Sequence, residues 1–223
     1  MYKEKIHLLG ILLISVVIAG IFVRGKYRTS EITNETGVLT PVEIRDYKGQ
    51  KLSSIDDFRE NSIKGPQHID KKSYELVVAG LVNNPLVFTY DNIVNEHQNY
   101  EKVVTLHCVE GWDVTILWEG VLVKDLIEET GVDSTANIVI FYAHDGYSTS
   151  LPLNYIVSND ILMAYKMNGV VLPPKRGFPF QLVAESKLGY KWIKWITRIE
   201  LSDDVNYRGY WESRGFPNDA DVP

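Results

Sequence analysis

The sequence predicts an α+β fold with mixed or antiparallel sheets and a few short helices. Three observations lead there. Short runs rich in β-branched and aromatic residues recur from Tyr74 to Leu201, each closed by Gly, Asn, Asp or Pro. Helical spacing is brief wherever it occurs, and helices and strands do not alternate in the regular way of a parallel doubly wound sheet. Composition is that of an ordinary globular protein: 223 residues, 45% hydrophobic and 23% charged, enough for one well-filled core. A net charge of −6, with no basic stripe interleaved with aromatics, argues against a nucleic-acid partner.

The chain divides into three parts. Residues 6–23 form an apolar run broken only by His7, Ser15 and two glycines; as a helix it would span about 27 Å, close to a bilayer's hydrocarbon thickness. It is longer than a signal-peptide core, and Ile18-Ala19-Gly20 is a poor cleavage site, so residues 1–28 are expected to be an uncleaved membrane anchor. Lys3 and Lys5 precede the run, and Arg24, Lys26 and Arg28 follow it, a bias slightly towards an inward C-terminal domain. Residues 29–44 read as a tether and 45–223 as the functional domain.

Within that domain Tyr74–Val82 reads as a strand ending at Asn83-Asn84-Pro85, and Thr89–Val94 as a short helix capped near Thr89 or Asp91. Val103–Cys108 reads as a buried strand closed by a Glu110-Gly111-Trp112 turn. Val121–Thr130 has helical spacing and stops at Gly131. Asn137–Tyr142 and Ser148–Leu153 suggest a hairpin, and Ile161–Met167 a buried strand before an Asn168-Gly169 turn. Trp192–Leu201 is the last expected strand; alternation would put Ile193, Trp195, Thr197, Ile199 and Leu201 on one face and Trp192, Lys194, Ile196 and Arg198 on the other. Tyr207–Glu212 is aromatic enough to pack back on the domain, while 218–223 is expected to fray.

Cys108 is the only cysteine, so it makes no internal disulfide, and its place at a strand end is either packing or chemistry. Zinc is excluded as its partner, because no Cys or His stands at zinc-ligand spacing around it. A single thiolate ligand makes sense where a cofactor supplies the remaining donors.

Three motifs bear on this choice: Leu106-His107-Cys108-Val109-Glu110-Gly111-Trp112, then Pro173–Phe180 (PPKRGFPF), then Gly189–Trp195 (GYKWIKW). In this order they resemble the sulfite-oxidase-type molybdopterin-binding domain, and most nearly its bacterial branch containing the catalytic subunit of periplasmic methionine sulfoxide reductase. The resemblance spans roughly residues 45–215. It implies a sulfite-oxidase-like fold, a molybdopterin cofactor and Cys108 as the protein's one ligand to molybdenum. It implies that Lys191, Trp192, Ile193 and Lys194 hold the cofactor's phosphate end, and that Asn61, Lys64 and His68 lie in a segment contacting it. Arg176 and Gln181 depart from that branch, which carries Asn and Arg there. Arg176 offers a planar fork of donors, whereas Gln181 brings no charge.

Sulfite oxidases proper follow their Cys with Gly-Asn and arginines; here Glu110 and Asp113 follow it, and they either point away and cap turns or face the site and repel sulfite. A neutral S- or N-oxide fits better, with Trp112 as an apolar wall and His144 as the proton-delivering candidate. Oxygen-atom transfer needs an electron source. With no haem-attachment CxxCH and no dinucleotide fingerprint, that source is a separate partner, either a membrane haem protein or a quinone-linked one. Family likeness favours an extracytoplasmic domain on a single-pass anchor, although the N-terminus has no twin-arginine pair. Two other readings stay open: an anchored binding module that has lost the metal, and a hydrolase using Cys108 with His144.

Overall fold

The structure, a computed structural model, describes residues 42–223 and the backbone of two short strands before them. The chain forms two compact units, 1–42 and 43–223. In the first, β1 (Ile32–Thr33) pairs antiparallel with β2 (Leu39–Thr40). The apolar run 6–23 lies outside the described residues, and among these no helix is long and apolar enough to cross a membrane.

The second unit opens with a two-residue ladder, β3 (Asp46–Tyr47) against β4 (Gln50–Lys51). Two five-stranded sheets follow. The first comprises β5 (Glu75–Gly80), β6 (Leu86–Thr89), β9 (Ile138–Ala143), β10 (Ser148–Pro152) and β14 (Ile196–Ser202), in the order β10-β9-β14-β5-β6. Only β14 and β5 run parallel, so this sheet is mixed. The second comprises β7 (Tyr100–His107), β8 (Asp113–Leu122), β11 (Leu162–Met167), β12 (Val170–Val171) and β13 (Gln181–Val183). Its order is β12-β11-β8-β7, with β13 also on β11, and every pair is antiparallel. Val78, Phe141 and Ile199 of one sheet share a buried cluster with Ile116, Trp118 and Met163 of the other. This is the α+β arrangement expected, with three short helices: α1 (Tyr90–Glu96), α2 (Val123–Glu128) and α3 (Leu153–Ser158).

Local chemistry explains most boundaries. Thr89 caps α1 by accepting from the Asn92 N–H, while the Asn92 side chain accepts from the Thr89 N–H, a reciprocal box that satisfies two otherwise orphaned donors. Asn168 and Gly169 take φ of +49° and +78° and turn β11 into β12, as an Asn-Gly pair does most readily.

Several expectations need correction. Sequence pattern assigned nothing to residues 113–120, yet β8 is a central strand of ten residues. Central position buries both its faces and erases alternation, and Gly120 breaks the apolar run. That glycine is needed: a Cβ there would collide with the Met163 carbonyl across the sheet. The helix expected from Val121 begins only at Val123, because Val121 and Leu122 belong to β8. Leu153 starts α3 after Pro152 instead of ending a strand. The last strand begins at Ile196, not Trp192, since Trp195 has φ +57° and interrupts the extended backbone. The expected alternation over 192–195 therefore fails, and Trp192, Ile193 and Trp195 are all buried. The C-terminus is tied down as well: Leu188 donates to the Ala220 carbonyl and Val222 to that of Ser186.

Candidate active site

The turn between β7 and β8 is Cys108–Trp112. The Cys108 N–H donates to the Trp112 carbonyl (2.9 Å) and Gly111 donates back to the Cys108 carbonyl (3.0 Å), with Gly111 at φ +83°. A left-handed residue is required there, which is why a glycine follows Glu110. The turn leaves Cys108 half-buried on the wall of a cavity of about 540 Å³. Burial pushes its thiol pKa up. The nearby backbone of Glu110 and Val109 pulls the other way, as does Arg59, against the Glu110 carboxylate. A metal cation reverses such a preference, because the thiolate is the form that binds metal.

Five segments close the cavity around that thiol. Phe58–Ile63 supplies one wall, and Arg176 fixes it: its guanidinium donates to the carbonyls of Ile55 (2.9 Å), Arg59 (3.0 Å) and Phe58 and lies over the Phe58 ring. Lys175 and Gln181 come from either side of the Gly177 turn. That glycine has φ +98°, and a Cβ on it would press on Gln181 and Lys194 at about 3 Å. Gly189, Tyr190 and Trp192–Trp195 form a third wall, Asp145 and Tyr147 a fourth, and Trp211 with Phe216 a fifth.

Three of the cations at this cavity are paired with carboxylates. Lys194 holds Glu60 at 2.7 Å and lies over the Trp195 ring; burial lowers its pKa, and Glu60 offsets part of that. Lys175 pairs with Asp56 at 2.5 Å. Arg59 stands 3.8 Å from Glu110, which also accepts from the Trp112 indole at 3.0 Å. Two buried polar atoms on the lining have no partner among the described residues, Ser62 Oγ and Gln181 Oε1. Burying such atoms unmade costs about 1–3 kcal/mol each, so they mark positions where a ligand completes the bonding.

The structure brings Cys108, Asn61, Arg176, Gln181, Trp192, Ile193 and Lys194 to this one cavity. It separates the others. Lys191 is fully buried behind the wall, donating to Glu212 (2.5 Å), the Ser150 carbonyl (2.9 Å) and Asn218 (3.2 Å), and does not line the cavity. The N–H groups of Trp192 and Ile193 are already spent on the Gly189 and Lys191 carbonyls, so these two residues shape the wall without offering free donors. Arg176 has three donors committed to the chain, which makes it a clamp on the 55–59 segment. Lys64 and His144 are exposed and off the lining; His68 is exposed beside a separate shallow depression with Phe178 and Asp70. The His144 ring has no hydrogen bond to Cys108 or to any described residue, which removes the geometry a thiol–imidazole pair requires. Asp113 pairs loosely with His107 at 3.8 Å and is also off the lining, whereas Asp145 is on it.

Sequence reasoning missed Glu60, Ser62, Asp145 and the pair Trp211 and Phe216. A neighbouring motif flagged the stretch around Glu60 and Ser62. Asp145 stood in the strand-end His-Asp-Gly triplet, where the His drew the attention. The aromatic run at 207–212 was the one signal for Trp211.

The residues present fit a bulky cofactor with a phosphate and a heteroaromatic ring. The volume is in the usual range for one. Lys194 carries an ammonium and Ser62 a hydroxyl of the kind that donates to phosphate oxygens, and the Gln181 carbonyl is of the kind that accepts from ring N–H groups. Among the described residues no three His, Cys, Asp or Glu side chains come together to hold a metal ion, so a metal bound at Cys108 would need further ligands from a cofactor. Replacing Gln181 by Leu should separate the two effects. The cofactor-free protein is expected to gain about 1 kcal/mol in a melting experiment, from the removed orphan, while cofactor affinity drops about tenfold.

This is the site of an enzyme whose reactive centre is a bound cofactor held beside one thiol. The chain belongs to the oxidoreductase molybdopterin-binding domain family, whose model matches residues 63–211. It is 34% identical over 152 residues to the oxidoreductase YuiH of Bacillus subtilis, across 68% of this chain and 76% of that protein. It is 31% identical over 150 residues to YedZ1 of Azospira oryzae, named as a protein-methionine-sulfoxide reductase subunit, across 67% of this chain and 56% of that protein. Spinach (Spinacia oleracea) NADH nitrate reductase matches at 27% identity over 185 residues, 68% of this chain and 20% of that protein. The sulfane dehydrogenase SoxCD of Paracoccus pantotrophus shares the fold, with a TM-score of 0.61 at 24% identity over 65% of this chain and 42% of that chain. The fold is therefore the sulfite-oxidase-like α+β fold, the protein is an oxidoreductase, and its cofactor is molybdopterin.

Proposed function

We propose that this chain carries a molybdenum centre ligated by Cys108 and transfers an oxygen atom to or from a small neutral S- or N-oxide. One observation carries the reading: the only cysteine stands on the wall of the cofactor-sized cavity. When bound, the cofactor supplies the two-electron oxygen-atom chemistry. In the reducing direction the balance is an S-oxide plus two electrons and two protons, giving the thioether and water.

The chain's own residues do the rest. The hydrogen-bonded turn Cys108–Trp112 orients the thiolate. Lys194 and Ser62 anchor the anionic end of the cofactor, and Gln181 holds its ring. Arg176 keeps the 55–59 wall closed and so excludes water from that side. Asp145, a carboxyl group nearly fully buried on the lining, replaces the exposed His144 as the proposed proton relay to the departing oxygen. With Lys194, Lys175 and Arg59 each paired to a carboxylate, little net positive charge remains to favour an anion over a neutral substrate.

Electrons come from a separate partner, and the naming of YedZ1 as a reductase subunit supports such an arrangement. We propose further that residues 1–28 anchor the protein to a cell membrane in a single pass, with 29–44 as tether and the 45–223 domain extracytoplasmic. The test is to measure molybdenum in protein purified from a host able to make the cofactor, and turnover of methyl phenyl sulfoxide with reduced viologen. One molybdenum per chain and viologen oxidation dependent on the sulfoxide are expected. A metal-free protein from such a host would sink the reading.

A further inference from the structure

Resting on that reading of the site, we propose that Trp211, backed by Phe216, determines specificity by seating an apolar, preferentially aromatic, substituent of the neutral oxide at the mouth of the cavity. The argument starts at the thiol. A Cβ built on Gly189 would stand 3.7 Å from the Cys108 Cα, so this backbone runs directly beside the ligand residue. The next residue is Tyr190, whose ring lies 5.3 Å from that of Phe216, and Phe216 in turn lies 5.2 Å from Trp211. All three rings line the cavity. They form a continuous aromatic surface leading outwards from Cys108 to Trp211, which at 37% exposure is where the surface meets solvent.

That wall is built rigidly. Glu212, next to Trp211, is buried and accepts from Lys191 and from the Thr149 hydroxyl at 2.6 Å. Arg214 covers the other face of the turn by stacking on Tyr210, and a side chain at Gly209 would collide with the Ser148 carbonyl. A fixed aromatic plane loses little entropy when a flat group stacks on it. Across the cavity Trp112, held by Glu110 and packed on Phe58 at 6.1 Å, offers another apolar face. The paired charges leave the aromatic faces as the main distinguishing contact available to a neutral substrate.

The test uses cofactor-loaded full-length protein and two readouts. The first is the ratio of kcat/KM for methyl phenyl sulfoxide to that for dimethyl sulfoxide. The second is calorimetric binding of methyl phenyl sulfone, an analogue that is not turned over. Trp211→Ala should lower the ratio about tenfold and raise the sulfone Kd about tenfold. Trp211→Phe, which keeps an aromatic face and guards against a folding artefact, should retain most of both. Equal losses for the two sulfoxides, an unchanged sulfone Kd, or no sulfone binding to the wild type would overturn the proposal. If neither sulfoxide is turned over yet the sulfone binds and Trp211→Ala weakens it, the wall stands and the oxide-transfer reading falls.

Discussion

Replacing Cys108 by serine is expected to reduce oxidoreductase turnover by at least about 100-fold while leaving the domain folded. Supporting contacts around metal sites already cost 10–100-fold when removed, and on the proposed reading this substitution changes the ligand atom itself. A serine hydroxyl is a harder donor that stays protonated where a thiolate binds. The fold should hardly notice: Cys108 is half-buried, and the hydrogen bonds closing its turn come from backbone groups that serine retains. A stability change within about 1 kcal/mol is expected. X-ray absorption at the molybdenum edge should show one sulfur fewer in the variant, alongside the loss of sulfoxide turnover. The same sulfur count and unaltered turnover would mean that the thiol is a packing residue. This outcome also bears on the hydrolase alternative, where blocking the thiol would abolish an activity indifferent to molybdenum.

Lys191→Met should be the most destabilising single change at the site's periphery, by about 3–5 kcal/mol in urea unfolding. Lys191 and Glu212 are both buried with no exposed side-chain surface, and their charged groups meet at 2.5 Å. Burial lowers the Lys191 pKa, and the hydrogen bond it donates to Glu212 restores part of it, so the ion pair survives only because each partner answers the other. Removing the ammonium leaves the Glu212 carboxylate with the Thr149 hydroxyl and an Oε2 already lacking a partner. The double change Lys191→Met with Glu212→Leu should recover most of the loss, since an apolar pair of similar volume needs no desolvated charge. A loss below about 1 kcal/mol in the single variant would contradict this role. Molybdenum content measured on the folded fraction distinguishes it from direct cofactor binding: a structural lysine leaves the metal in place, and a phosphate ligand does not.

The legibility of this chain followed the range of each interaction. The Thr89 cap, the Asn168-Gly169 turn and the strand leading to Cys108 depend on neighbours a few residues away, so their signals survive in the sequence. Strand β8 does not, because burial on both faces replaced its alternation with a run that reads equally as helix. The GYKWIKW motif shows both cases within Lys191–Trp195. Its likeness pointed to Lys191 and Lys194 alike, yet only Lys194 reaches the cavity. Trp195, at φ +57°, breaks the strand that alternation had assumed, and Lys191 turns inward to a carboxylate supplied 21 residues later. His144 and Asp145 divide in the same way: adjacent in sequence, one faces solvent and the other the lining.

By itself the sequence determined the α+β class, the family motifs and the singular position of Cys108, since composition, strand pattern and local spacing are written residue by residue. Only the tertiary structure decided which side chains share a cavity. It committed Arg176 to three backbone carbonyls, left Gln181 and Ser62 unsatisfied on the lining, and folded Trp211 and Phe216 back to complete a wall begun beside the thiol. Such choices depend on which groups from distant segments are buried together, where an unpaired charge or hydrogen bond costs kilocalories, and no local pattern encodes that.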